Sequence, residues 1–212
     1  MPHNIQLIIF DLGRVMVDIC NDWQEAASRA DVTLPMEDYL QAHEQINGPL
    51  LTAMETGQID INVFTQSISK LVNKPASEIK SAFLKWLKAP MPGMVELVKD
   101  LKTKGYQTAC LSNTSHMHWD MMLDPTSEHY LALDQIFDYP YASHIIGIMK
   151  PDSGIYDYVE EQTGKKPSQI MFFDDNVANI EAAKSRGWHA TLITQDKPVT
   201  QQVQAQLSAI EK

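Results

Sequence analysis

The chain has 212 residues, of which 44% are apolar and 21% charged, and a net charge of −10. That length holds one large domain, or a domain carrying a smaller inserted one, at an ordinary globular composition. The negative charge argues against a nucleic-acid or anionic-membrane surface, although a cation and a metal can still reverse the field inside one cleft.

The head of the chain, MPHNIQ, has no basic region and no long apolar segment, and no later run approaches the ~20 apolar residues of a membrane helix. A cytoplasmic protein without a membrane span is expected. The first strong element is Leu7-Ile8-Ile9-Phe10, which ends at Asp11. Continuous rather than alternating hydrophobicity predicts a strand buried on both faces of a parallel sheet. Residues 15–89 break this pattern with helical stretches at Asp22–Arg29, Pro35–Ile46, Ile61–Leu71 and Ser77–Lys88 and no convincing strand. The segment 54–60 reads as a turn between two of these helices. Ala89-Pro90-Met91-Pro92-Gly93 reads as a hinge back to the sheet.

Three further apolar runs follow, Thr108–Leu111, Ile170–Phe173 and Ala190–Ile193. Each comes after a helical stretch (92–104, 153–163 and 177–186), with Gly105, Gly164 and Gly187 at the expected helix stops. Alternation of this kind predicts βαβ units and a doubly wound parallel α/β sheet. The polar stretch after Pro198 is the one segment expected to lack order. Of the two cysteines, which are too few for a disulfide scaffold, Cys110 falls inside a strand and reads as a buried, inert thiol.

Chemistry collects where the apolar runs stop. Asp11, Ser112-Asn113, Lys150 and Asp174-Asp175 offer a carboxylate nucleophile, hydrogen-bond donors, a cation and a metal-binding acidic pair. Each alone is unremarkable, since Asp after a strand is a common cap and lysine before proline is usually solvated. All four in order at strand ends, where open parallel sheets bind ligands, are the better-supported reading.

Over its whole length the chain resembles the haloacid dehalogenase-like (HAD) hydrolase superfamily. The resemblance is carried by Phe10-Asp11-Leu12-Gly13-Arg14-Val15, Leu111-Ser112-Asn113-Thr114, Gly147-Ile148-Met149-Lys150-Pro151 and Phe173-Asp174-Asp175-Asn176, followed by Asn179-Ile180. It implies a Rossmann-like core of residues 1–15 and 91–212, with a helical cap domain of 16–90 inserted after the first strand. It also implies a phosphatase in which Asp11 forms an aspartyl-phosphate with Lys150 as its catalytic cation. Ser112, Asn113 and Lys150 would bind phosphate. Magnesium would be held by Asp11, the Gly13 carbonyl and the Asp174-Asp175 pair, Asp175 being favoured as the direct ligand. The partner would be a small phosphorylated metabolite met by a monomer or homodimer.

In phosphatases of that family the second residue after the nucleophile is an acid-base Asp, and here it is Gly13. Positioned acid-base catalysis is typically worth ~10²–10⁴-fold. Three consequences are open: another group supplies the proton, with His118 a candidate and a surface-helix histidine its commoner reading; the leaving group needs little protonation, as in the sugar-1-phosphate phosphatases that the Val17-Asp18 ending resembles; or turnover is lost. Arg14 reads equally as a substrate contact or a surface turn. A metal-free 2-haloacid dehalogenase would not need the acidic pair, and a receiver domain would carry its motifs in the opposite order.

Overall fold

The computed structural model describes residues 4–210; the first three residues, part of the N-terminal segment read above, lie outside it. In chain order the strands are β1 (Leu7–Phe10), β2 (Val17–Ile19), β3 (Leu87–Pro90), β4 (Gln107–Ser112), β5 (Tyr139–Ala142), β6 (Ile170–Asp174) and β7 (His189–Leu192). Between β2 and β3 run α1 (Trp23–Arg29), α2 (Met36–Gln45), α3 (Leu51–Glu55), α4 (Ile61–Val72) and α5 (Ala76–Leu84), with one π turn at Ile46–Leu50 joining α2 to α3. The remaining helices are α6 (Met94–Thr103), α7 (His116–Leu123), α8 (Leu133–Ile136), α9 (Ser143–Ile146), α10 (Ser153–Thr163), α11 (Val177–Ser185) and α12 (Val199–Ile210). No described helix is long and apolar enough to cross a membrane.

Five strands form one parallel sheet in the order β5-β4-β1-β6-β7. The chain leaves β1 toward one edge and later returns to its other side, so the strand order reverses at β1. At such a point the loops after neighbouring strands diverge and leave a crevice at their carboxyl ends. Asp11 directly follows β1, Ser112 is the last residue of β4 and Asp174 is the last of β6.

The uninterrupted apolar runs are explained by burial on both sheet faces. Ile8, Phe10, Cys110, Met171 and Phe173 pack with α6, α7, α8 and α12 on one face. Leu7, Ile9, Ala109, Leu111 and Phe172 pack with α10 and α11 on the other. Cys110 is fully buried, and burial pushes its thiol far above the ordinary range, as expected of an inert core residue. The helical insert has a separate apolar cluster around Trp23, Phe64, Ile68, Val72, Ile79 and Phe83.

Three elements differ from the sequence reading. The two crossings into and out of the insert pair as an antiparallel ribbon, Val17 opposite Pro90 and Ile19 opposite Leu87, where no strand was expected. Three or four residues are too few to show an alternating period. Strand β5 was missed because Pro140 interrupts it, which an edge strand tolerates. Of the polar stretch after Pro198, Val199–Ile210 form α12, and Val199, Val203 and Leu207 bury a narrow i, i+4, i+8 stripe in the core.

Candidate active site

Three carboxylates converge at the reversal point, and Asp11, Asp174 and Asp175 each offer an oxygen within 4.8 Å of the others. Lys150, in the loop before α10, enters between two of them at 1% exposure. Its Nζ donates to the Leu111 carbonyl at 2.6 Å, Asp174 Oδ2 at 2.7 Å and Asp11 Oδ1 at 2.9 Å. An ammonium has three protons, so every donor is spent within the protein. Lys150 therefore meets an incoming anion by its charge rather than by a spare N–H. Burial alone would lower its pKa, but Asp11 and Asp174 outweigh this and hold it raised.

Asp174 is wholly buried and saturated: besides Lys150 it accepts from the Asn176 N–H at 2.7 Å, and Asn179 Nδ2 lies 3.0 Å from both oxygens. Its carboxylate anchors Lys150 and the turn after β6. Asp175 is more open and faces Arg14 at 3.8 Å. Arg14 also reaches Asn21 Oδ1 at 3.2 Å, so its charge is directed along the rim of the site.

Asp11 Oδ1 accepts from the Leu12 N–H at 2.7 Å as well as from Lys150, and Oδ2 has no hydrogen bond among the described residues. Burial pushes Asp11 up to about 7 against the pull of Lys150, with Asp174 and Asp175 adding to the rise. The site thus holds more buried negative charge than its cation balances. That imbalance, on oxygen donors, fits a hard divalent cation.

The Ser112 hydroxyl makes only a 3.5 Å contact with the Asn113 carbonyl, and Ser112 borders a cavity shared with Leu12, Gly13 and Glu55. Asn113 is committed elsewhere: its Nδ2 donates to the Lys150 carbonyl and its Oδ1 accepts from the Lys150 N–H, both at 2.8 Å. Its side chain orders the Lys150 loop, with one Nδ2 proton spent there and the second outside any hydrogen bond among the described residues. Gly13 borders the same cavity, where a Cβ would come within 3.2 Å of Ile19 Cδ1.

The site opens into two small spaces of about 100 and 60 Å³ that share Glu55, Trp86 and His118. Larger concavities occur away from the acidic centre, for example along Met91–Pro92 and Gln195–Thr200. Of the insert aromatics, Trp23 and Trp86 border the smaller space, while Tyr39 is buried in the insert core beside His43. His118 is not a surface histidine. It is 6% exposed, stacks on Phe83 at 4.2 Å and donates through Nε2 to the Phe83 carbonyl at 2.7 Å, since a carbonyl can only accept. Burial lowers its pKa to about 4, so it is a neutral clasp between α7 and the insert.

The sequence reading does not single out Glu55, at the end of α3, which borders both spaces. It lies in the segment 54–60 that reads only as a turn, so no local signal marks it.

Comparison with known proteins agrees with this geometry. The sequence model of the haloacid dehalogenase-like hydrolases matches residues 5–187. D-ribitol-5-phosphate phosphatase of Bacteroides thetaiotaomicron is 28% identical over 191 residues, covering 87% of this chain and 89% of that protein. Acyl-CoA dehydrogenase family member 10 of Mus musculus is 24% identical over 217 residues, which are 97% of this chain but 19% of that protein. A HAD-like family hydrolase from Porphyromonas gingivalis superposes with a TM-score of 0.78 at 25% identity, covering 96% of this chain and 98% of that one. With the family model matched over residues 5–187 and the fold shared, the chain belongs to the haloacid dehalogenase-like hydrolase family.

Proposed function

We propose that the chain is a magnesium-dependent phosphatase that hydrolyses a small phosphorylated metabolite, a sugar or polyol phosphate such as a sugar 1-phosphate, through an aspartyl-phosphate on Asp11. The observation that carries this reading is the Asp11 carboxylate, held by Lys150 at 2.9 Å, with Asp174 and Asp175 within 4.8 Å. Its unbonded oxygen is available to attack phosphorus, splitting hydrolysis into two displacements. Lys150 stabilises the charge on the transferring phosphoryl group from a buried position, where electrostatics count most. Ser112 donates its hydroxyl to a phosphoryl oxygen, and Asn113 and Asp174 keep Lys150 in place.

Magnesium, held by Asp11, Asp175 and the Gly13 carbonyl, would supply the positive charge that the carboxylates and a phosphate dianion together require. The small space beside Gly13 and Ser112, with the one adjoining it at Glu55, suits a phosphate with a short carbon chain. The helical insert acts as the cap that limits access to such molecules, and the similarity to D-ribitol-5-phosphate phosphatase supports the same substrate class.

The test is magnesium-dependent phosphate release from sugar 1-phosphates, their 6-phosphates and D-ribitol 5-phosphate, with Asp11→Asn as the blank. Release that vanishes in the variant is expected. Equal release by both proteins, or none from either with magnesium bound, would overturn the reading. Gly13 favours one alternative, a phosphate-binding relative that has lost turnover, which would trap phosphorylated Asp11 without releasing it. Halide release from a 2-haloacid without metal would instead favour a dehalogenase.

A further inference from the structure

The family's usual proton donor is absent at Gly13, and Ile19 of the β2–β3 ribbon crowds the position where its side chain would start. Two titratable side chains border the cavity beside Gly13 and Ser112, Glu55 and His118. His118 is a poor donor, because its Nε2 proton is held by the Phe83 carbonyl and its ring stays neutral down to about pH 4. Glu55 has the opposite character. It is partly buried, it lines both spaces of the site, and its carboxyl group makes no hydrogen bond or ion pair among the described residues.

We propose that Glu55, brought into the site by the helical insert, is the general acid and base of the phosphoryl transfer at Asp11. This rests on the phosphatase reading above and adds to it the residue that replaces the missing acid.

The main chain at Glu55 is fixed to the sheet domain at two adjacent points. Ser143 Oγ donates to the Glu55 carbonyl at 2.6 Å and accepts from the Thr114 N–H at 3.0 Å. One hydroxyl therefore ties the turn after α3 to the loop that follows Ser112-Asn113. Two residues on, Gly57 has φ +70°, and a Cβ there would lie 2.4 Å from the His144 carbonyl oxygen. The close approach of the insert backbone to α9 requires glycine. The turn is thus seated against the same loops that form the phosphate side of the site.

The surroundings favour a proton on Glu55. Trp23, Phe83 and Trp86 flank it on the insert side, Asp11 and Lys150 face it from the sheet, and His118 adjoins it from α7. Burial first, and then the charge of Asp11, raise Glu55 to about 7, with Lys150 opposing. A carboxyl group in that range can give a proton and take one back near neutral pH.

In the first step Asp11 attacks phosphorus, the bond from phosphorus to the leaving oxygen breaks, and protonated Glu55 gives that oxygen its proton. In the second step the Glu55 carboxylate takes a proton from water. The water oxygen bonds to phosphorus, the Asp11–phosphorus bond breaks, and inorganic phosphate leaves with both carboxyl groups restored.

The test compares wild type and Glu55→Gln on phenyl phosphate, whose leaving group needs a proton, and p-nitrophenyl phosphate, whose leaving group does not. Glu55→Gln should lose about 10²-fold or more in kcat on phenyl phosphate. On p-nitrophenyl phosphate it should give a burst of about one nitrophenolate per enzyme before slow turnover, as aspartyl-phosphate accumulates. A kcat within about twofold of wild type on both substrates would overturn the assignment. An equal loss on both without a burst would also do so, because it would mark a structural role. If wild type itself releases no phosphate above Asp11→Asn, the phosphatase reading fails first and this proposal with it.

Discussion

The two sides of the crevice hold their ionisable groups in different ways. On the sheet side, Lys150 and Asp174 are at most 1% exposed and fully partnered, with each Lys150 proton on an oxygen and both Asp174 oxygens bonded. Where the insert meets α7, Glu55 and His118 border one space with Trp23, Phe83 and Trp86, and burial pushes each toward its neutral form. Pairing fixes charge, whereas desolvation without pairing leaves a proton free to move or to stay. The fold thus sets a fixed, fully paired charge cluster on one side and, on the other, a carboxyl group at Glu55 whose protonation can change.

The most severe way to break this contrast is Lys150→Met. It leaves the Asp174 carboxylate buried without its cation, and loss of one partner from a buried pair costs about 3–5 kcal/mol. A fall of that size in urea unfolding free energy is expected, together with loss of phosphate release. A stability change under about 1 kcal/mol would mean that the Asn176 and Asn179 contacts suffice to hold Asp174.

Where the insert meets α7 the corresponding effect depends on pH. His118 has its pKa lowered to about 4 in the fold from an ordinary 6.5, so between those values the unfolded chain binds a proton that the native state refuses. Its contribution is full above pH 6.5 and is lost as pH falls toward 4, a swing of about 3 kcal/mol. Subtracting the urea stability of His118→Gln from that of wild type at each pH isolates the swing. A difference that stays flat from pH 7 to 4.5 would show that protonation does not disturb the clasp on Phe83.

The smallest effect is expected at the sheet-side rim. Arg14 meets Asp175 at 3.8 Å with side-chain exposures of 30% and 24%, and such pairs contribute under about 1 kcal/mol. Arg14→Ala should leave stability nearly unchanged while altering the magnesium concentration needed for half-maximal activity. A loss like that of Lys150→Met would show that the paired region extends out to the rim.

Much of the sheet side was legible before any coordinates. Leu7–Phe10, Thr108–Leu111 and Ile170–Phe173 are continuous apolar runs because both sheet faces are covered, and Asp11, Ser112 and Asp174 sit where those runs stop. Residue identity carries less about side-chain commitment. Asn113 looks like a phosphate ligand in sequence, and in the fold its amide also ties down the Lys150 backbone, a contact that residue type does not reveal.

The sequence alone determined the strand-helix alternation, the order of Asp11, Ser112, Lys150 and Asp174-Asp175, and the absence of an acid at Gly13. These follow from local periodicity and from residue type, which short stretches of chain record. Tertiary structure decided the rest. It turned Val17–Ile19 and Leu87–Pro90 into a ribbon, buried His118 against Phe83, and seated the turn at Glu55 against Ser143 and His144. Each of these joins residues distant in sequence, and the energies that hold them, burial and hydrogen bonds across elements, leave no periodic trace along the chain.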